Sequence, residues 1–297
     1  MGAPYSLFAS ITAILVLSAC SFEQHEAVGE NQIVFGITQS ISADTGQPTT
    51  KAAYELLELD SQGWKTRAFV DHGRSCWLER LDSRLGQPRV ESGVATFRGG
   101  SLPTTGLAVL ANANTNDSRV AEAVVSGSAW ADGDTLTFEA HGFAMPNVGR
   151  VRLQAPSTLA VATPAPPSAG ASELAISTKG DFTVTWASDE AKGGHVSSDK
   201  VAVVLEADGA GQAGATAVEL RCFFERSAGT GVVPKDELSA FLTATRQAQP
   251  STSQDGAVHG KLTVATHTQK SLTRPGGWVI YVVAEAMARE QPFAARD

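Results

Sequence analysis

The stretch that decides the fold is Val218-Glu219-Leu220-Arg221-Cys222-Phe223-Phe224, in which alternate residues are apolar. Successive side chains of a β-strand point to opposite faces, so a period of two indicates a strand with one apolar face. We expect that face, which includes Leu220 and Cys222, to lie in a core. Other alternating or continuously apolar segments of strand length predict further strands at 182–186, 201–206, 260–267 and 278–286.

The second half of the chain, residues 173–288, predicts an immunoglobulin-like β-sandwich. It contains about seven strand signals in about 115 residues, with no helical crossovers, which is typical of that fold. The strand at 278–286 is apolar on both faces. One short helix is predicted at 235–243, after Pro234, and residues 289–297 are interpreted as a tail.

The first half predicts a separate antiparallel β domain over residues 51–155, because short alternating runs are interrupted by turn residues about every 8–12 positions. Within it, 119–126 has helical character through its alanine content alone. Residues 20–50 are interpreted as a tether that contains a short strand-like piece at 33–37. Prolines in 156–172 indicate an extended linker between the domains. The predicted class is therefore all-β, with two antiparallel β domains.

The N-terminal sequence predicts export and lipid attachment. An apolar run at 7–16 leads into Leu17-Ser18-Ala19-Cys20, and small residues after such a run are typical of a signal-peptide cleavage site. A cysteine directly after that site resembles the lipobox of bacterial lipoproteins. We predict a signal peptide at 1–19 and acylation of Cys20 with fatty chains such as palmitate. Residues 1–19 contain no Lys or Arg, although a signal peptide normally begins with positive charge.

Two alternatives for this segment are a retained N-terminal anchor and a buried helix. The apolar run is shorter than the roughly 20 residues that cross a bilayer. Several fatty chains on Cys20 would hold the mature chain on a membrane. Ser21 favours the outer membrane by the enterobacterial sorting rule. The predicted location is therefore the cell envelope, with the membrane as a partner through the lipid.

Charge and cysteine content restrict the partners and the compartment. The chain has 31 acidic and 23 basic residues and a net charge of −8, so it lacks the basic footprint of a nucleic-acid-binding protein. If Cys20 carries lipid, Cys76 and Cys222 remain as an even pair in an oxidising compartment. They either form a disulfide or remain two separate buried thiols.

Motifs that resemble catalytic or cofactor sites have simpler interpretations. Gly209–Gly214 has G-x-G-x-x-G spacing but precedes a strand rather than a helix, so we interpret it as a hairpin loop. The Asn-rich loop at 112–117 lacks the glycine and glutamate of a calcium loop. The Asp71-His72-Ser75 cluster lacks a G-x-S-x-G elbow. We predict no enzyme activity, no cofactor and no metal site, and the six histidines show no zinc spacing.

Tryptophans provide a candidate ligand surface. Trp64, Trp77 and Trp130 lie near predicted turns, where exposed aromatic faces stack on sugars. The alternative is packing in the domain cores. Trp186 shares a strand face with Val184 and is predicted to be core.

Several segments carry a family resemblance. They are Trp130–Leu136, Phe182–Trp186, Cys222–Phe224 and Ser227–Pro234, and together they resemble uncharacterised lipoproteins of myxobacteria. The resemblance covers residues 90–286 and implies a lipobox, a β module, a Pro-rich joint and a terminal β-sandwich. It implies fold and location only.

These observations favour a membrane-anchored envelope lipoprotein with a non-catalytic binding or adhesion role. The ligand would be a glycan or an envelope protein. One alternative is a structural or assembly component of the envelope, and a further alternative is a hydrolase.

Overall fold

The computed structural model describes residues 31–41, 47–58, 75–82, 93–110, 121–142, 145–165, 173–187, 200–207, 216–249 and 256–297. Within these ranges almost all regular structure is β-strand, which confirms the all-β prediction. The same ranges contain no helix with the length and apolar character of a membrane span. The elements are β1 (Asn31–Ile41), β2 (Pro48–Glu58), β3 (Cys76–Asp82), β4 (Val94–Gly99), β5 (Leu107–Leu110), β6 (Ala121–Ser126), β7 (Thr135–His141), β8 (Val148–Gln154), β9 (Val161–Thr163), β10 (Leu174–Ser177), β11 (Phe182–Trp186), β12 (Lys200–Ala207), β13 (Thr216–Glu225), β14 (Thr230–Val233), α1 (Lys235–Ala248), β15 (Val258–Arg274) and β16 (Trp278–Arg296).

A nine-stranded sheet organises the molecule. Its strand order is β3-β13-β12-β15-β16-β1-β2-β6, and β10 adds to the far end of β16. Most neighbours are antiparallel, but β1 and β10 both pair with β16 in parallel. The described residues also form two smaller sheets, with the orders β5-β4-β7-β8 and β14-β11-β9.

The long hairpin of β15 and β16 lies under two separate cores. At roughly 3.4 Å per residue, strands of this length extend for more than about 50 Å, which is long enough to contribute side chains to both cores. One face of β15 contributes Leu272 to the first core and Leu262 to the second. Both smaller sheets therefore cover the same face of the nine-stranded sheet.

The first core lies between the nine-stranded sheet and the four-stranded sheet. Phe138 of β7 is at its centre, with ring centroids 4.8 Å from Phe35 and 4.9 Å from Phe97. All three rings are fully buried. Such tilted aromatic contacts add to the stabilisation from apolar burial.

The second core lies between the other end of the nine-stranded sheet, the three-stranded sheet and α1. The helix buries Leu238, Phe241 and Leu242 against this core, which is the spacing of one helical face. It starts after Pro234 as predicted, but it continues to Ala248 rather than ending at 243. Acidic Asp236 and Glu237 in its first turn suit the positive end of the helix dipole.

The predicted division into domains is wrong in three places, because a strand pattern identifies a strand without identifying its partner. The tether at 20–50 includes β1, a central strand of the main sheet. Strands β2, β3 and β6 from the predicted domain at 51–155 share that sheet with strands from 173–288. The tail at 289–297 is the continuation of β16.

Two local predictions are also corrected. The alanine-rich segment 119–126 contains a strand, β6, because its partner β2 offers a sheet edge. The beginning of the predicted linker at 156–172 contacts both cores, since Leu159 lies in the second core and the Pro156 carbonyl accepts a hydrogen bond from Trp130 of the first. Its backbone carbonyls accept hydrogen bonds from side chains, since Thr266 Oγ1 donates to the Ser157 carbonyl and an Arg226 Nη donates to the Thr158 carbonyl.

Candidate functional site

The two faces of β13 have opposite characters. Val218, Leu220 and Cys222 face the second core and are fully buried, as the alternation predicted. Glu219, Arg221 and Phe223 point to the other face of the sheet, and they too are buried. Buried charges require partners, because moving an ion out of water is costly. The partners of Glu219 and Arg221 define the candidate site.

On the core face, Cys76 of β3 and Cys222 of β13 form a disulfide, the first of the two alternatives that the sequence left open. The two residues are directly opposite each other in the antiparallel ladder. The bridge closes a loop with a sequence separation of 146 residues. In the chain-entropy model, a loop of this size corresponds to about 5 kcal/mol of stabilisation.

On the opposite face, four side chains form a continuous buried charge network. Arg221 Nε donates to Glu219 Oε1 at 2.9 Å, and Arg221 Nη1 donates to Glu285 Oε1 at 2.9 Å. His267 Nδ1 also lies 2.9 Å from Glu285 Oε1. The Phe223 ring packs on His267 with centroids 4.9 Å apart, which fixes the imidazole plane.

The network connects strands that are not neighbours. Arg221 is on β13 and Glu285 is on β16, and both β12 and β15 lie between them. Adjacent strands are about 4.8 Å apart, so the pair spans roughly 14 Å of sheet. The intervening strands carry buried Ala202 and Ala265, which are paired with each other. Their small side chains leave space for Arg221 to extend across the sheet.

Burial and charge shift the two carboxyl groups in opposite directions. Burial raises the pKa of Glu219, and the adjacent Arg221 only partly offsets that effect. Burial acts on Glu285 in the same way, but Arg221 and His267 outweigh it, so the pKa of Glu285 is lowered. The carboxylates in turn raise the pKa of Arg221. The network therefore stabilises the ionised form of Glu285.

This arrangement suits structure better than catalysis. A Glu–His pair can activate a nucleophile when the second ring nitrogen faces one. Here His267 Nε2 lies 3.3 Å from Gln269 Oε1, an amide oxygen with no nucleophilic role. His267, Glu285 and Arg221 are also all buried. The network therefore fixes strands β13, β15 and β16 relative to one another.

The ligand-stacking candidates do not form an exposed cluster in the described residues. Trp130 is in the first core, where its Nε1 donates to the Pro156 carbonyl at 3.0 Å, so of the two alternatives for this residue the structure shows core packing rather than an exposed stacking face. The loop that carries it folds inward because its indole has a buried acceptor. Trp77 is half-buried on the network face of β3, and Trp64 lies outside the described residues. Trp186 is core, as predicted.

The remaining candidates are dispersed or outside the described ranges. His141 lies on β7, whereas His259 and His267 lie apart on β15. No group of three or more His, Cys, Asp or Glu side chains in the described ranges is placed to hold a metal ion. Ser75 is exposed and described, whereas Asp71 and His72 are not. The predicted signal peptide at 1–19, Cys20, and the loops at 112–117 and 209–214 also lie outside the described residues.

The sequence interpretation missed Glu285, Arg221 and His267 as a set. A signal was present in the strand at 278–286, which is apolar on both faces and contains the single charged residue Glu285. A carboxylate in such a strand needs a buried partner, and Arg221 within the alternating strand 218–224 is a suitable one. Sequence alone does not bring the two strands together.

Comparisons with known proteins give distant structural likenesses. No family model matches the chain, and no curated protein matches it. The chain is similar to chicken CNTN1 FN1–FN3 domains, with 10% identity and a TM-score of 0.23, over 89% of this chain and 67% of that one. It is similar to a DUF4785 family protein from Legionella pneumophila, with 12% identity and a TM-score of 0.19, over 86% of this chain and 54% of that one. Likenesses with such low scores do not say what this chain binds.

Proposed function

We propose that this protein is a lipid-anchored lipoprotein of a bacterial cell envelope with a non-catalytic binding role. The observation that carries the proposal is the division of its three cysteines. Cys76 and Cys222 are joined to each other. Cys20 is the remaining cysteine, and it lies directly after the Leu17-Ser18-Ala19 sequence that precedes the acylated residue in a lipobox.

The disulfide supports an exported location. Such bonds form and persist in oxidising compartments such as the bacterial periplasm and are rare in the cytosol. The same compartment is the one that a lipobox addresses. The likeness to myxobacterial lipoproteins in segments such as Phe182–Trp186 is in keeping with this location.

The buried network supports a role without catalysis. It gathers an arginine, a histidine and two glutamates, yet it connects them to one another and keeps them from solvent. A body whose two cores share one long hairpin suits the presentation of a surface at a fixed distance from an anchor. The alternative role is that of a structural component of the envelope. The experiment below tests both roles.

The test is membrane fractionation of a strain that expresses the chain and is supplied with labelled palmitate. The wild type should sediment with membranes after a high-salt wash and carry the label. The Cys20→Ser variant should lose the label and appear in the soluble fraction. Ser21→Ala is the matched control, since it changes the next residue and keeps the acceptor thiol.

A Cys20→Ser protein that still sediments with membranes would contradict the anchoring proposal. Extraction in a gentle detergent then separates the two roles. A fixed stoichiometric protein partner would favour the structural alternative, and a chain that elutes alone would favour a binding role.

A further inference from the structure

The outer face of the four-stranded sheet contains three arginines, one on β4 and two on β8. Phe97, Phe138 and Leu153 of β4, β7 and β8 point into the first core. The residues that alternate with them point away from it, and they include Arg98 of β4 and Arg152 of β8. Arg150, also on β8, is exposed beside them. We call Arg98, Arg150 and Arg152 the arginine patch.

A single carboxylate lies within the arginine patch. Glu139 of β7 accepts a hydrogen bond from Arg98 Nη1 at 3.0 Å through one oxygen and from Arg150 Nε at 2.9 Å through the other. The hydrogen bond from Arg150 is the main cause of a lowered pKa for Glu139, so this carboxyl stays ionised. Three guanidinium groups and one carboxylate leave two positive charges in excess.

Arg152 has the freest guanidinium of the three. Within the described part of the chain it has neither a hydrogen bond nor an ion pair from its side chain, and it is exposed. It is paired across the sheet with Thr137, which is paired in turn with Arg98. The two arginines are thus two strand spacings apart, roughly 10 Å, with a hydroxyl between them.

The residues beside the cross-strand row Arg98-Thr137-Arg152 can also form hydrogen bonds with a sugar. Thr135 and Gln154 form the next cross-strand pair, and both are exposed. The nearby acids are engaged elsewhere, since Asp134 accepts from the Ala131 amide and Asp132 accepts from the Thr158 amide. The face therefore offers separated cations with hydroxyl and amide groups between and beside them.

From this charge complementarity we propose that the arginine patch binds an acidic polysaccharide, whose repeated sugar carboxylates pair with Arg98, Arg150 and Arg152. A guanidinium matches a carboxylate in a two-point geometry. An anionic lipid surface fits less well, because the hydroxyl and amide groups of Thr137, Thr135 and Gln154 beside the arginines suit the hydroxyls of a sugar. The proposal names the ligand class of the binding role and in that respect rests on the proposed function.

The experiment is a calorimetric titration of the full chain, purified in a neutral detergent, with polygalacturonate. Dextran serves as the uncharged polysaccharide. For the anionic lipid surface, the Cys20→Ser chain, which has no acyl group, is titrated without detergent with phosphatidylglycerol vesicles. Detergent keeps the measurement independent of the anchor, so a failure to bind leaves the result at Cys20 unaffected. We expect binding to polygalacturonate alone, weakened by salt as the Debye length falls to about 8 Å at 0.15 M.

Two substitutions test the patch in opposite directions. Arg152→Gln removes a cation without a structural partner and should weaken binding about fivefold, as expected for one exposed ion pair. Glu139→Gln removes the carboxylate that competes for Arg98 and Arg150, so it should strengthen binding. Lys179→Gln removes one exposed positive charge on the turn between β10 and β11 and should leave affinity unchanged.

Several results would overturn the proposal. These are the absence of binding to polygalacturonate, equal binding to the lipid vesicles, and equal effects of Arg152→Gln and Lys179→Gln. Weaker binding by Glu139→Gln would also contradict it, because that result would make the carboxylate part of the ligand site.

Discussion

Two arginine–carboxylate clusters lie in different parts of this protein and differ chiefly in their exposure. Arg221 and Glu285 bond across the nine-stranded sheet with side chains that are 8% and 6% exposed. Arg98 and Arg150 bond to Glu139 on the outer face of the four-stranded sheet with side chains that are 41% and 66% exposed. Donors, acceptors and distances are nearly the same in the two clusters.

The comparison shows that burial, rather than the type of hydrogen bond, determines the role of each arginine–carboxylate cluster. In the buried cluster each charge depends on its partners, since removing one leaves another uncompensated away from water. In the exposed cluster water replaces any lost partner, so the arginines contribute little to stability and remain available to a ligand. The first cluster holds strands together, and the second is a recognition surface.

The largest expected effect is that of Arg221→Ala. It leaves both Glu219 and Glu285 buried without their shared cation, which should cost about 3–5 kcal/mol of unfolding free energy. Urea unfolding at neutral pH measures this loss. A loss no greater than that of an exposed arginine would remove the distinction between the clusters.

The next effect depends on pH and distinguishes the two buried glutamates. The pKa of Glu285 is lowered in the folded protein, so its stabilisation is present above the unfolded pKa of about 4.3 and is lost as the pH falls through the lower folded value. Glu285→Gln should therefore cost about 2 kcal/mol at pH 7. The difference from wild type should shrink in acid, as unfolding curves at a series of pH values would reveal.

Glu219→Gln is the matched control for that series. The pKa of Glu219 is raised, so folding favours its protonated form, and that contribution is lost as the pH rises towards the folded value. A glutamine resembles the protonated acid, and the loss at pH 7 should be smaller than for Glu285→Gln. Equal losses from the two variants would show that the network does not treat the carboxyl groups differently.

The smallest effect is expected in the exposed cluster. Arg98→Ala should change the unfolding free energy by about a fifth or less of the change caused by Arg221→Ala, because solvent screens its pair with Glu139. The same urea curves provide the measurement. A large loss at Arg98 would make the exposed cluster structural and would count against its availability to a ligand.

Much of the fold follows from the sequence, and the limits have physical causes. The period-two patterns at 182–186 and 218–224 identify real strands, and Trp186 and Cys222 are in the core as expected. The parallel pairing of β1 with β16 was missed, because side-chain alternation gives the face of a strand without its neighbour. Separate domains were therefore predicted where one sheet connects both cores.

The candidate site illustrates the same limit. In an alternating strand the polar face is ordinarily solvated, which makes Glu219 and Arg221 look like surface residues. Only the three-dimensional structure shows that this face is buried and that Arg221 reaches Glu285, which is 64 residues away in sequence. Trp130 shows the converse, since its position near a turn left exposure and core packing both open and the residue is buried.

The most direct test of the proposed function is the mass of the chain extracted from membranes, measured before and after reduction. The account predicts a chain that begins at Cys20, carries a diacylglyceryl group on that thiol, and gains two hydrogens when the Cys76–Cys222 bond is reduced. A chain that retains residues 1–19 with an unmodified Cys20 would contradict it.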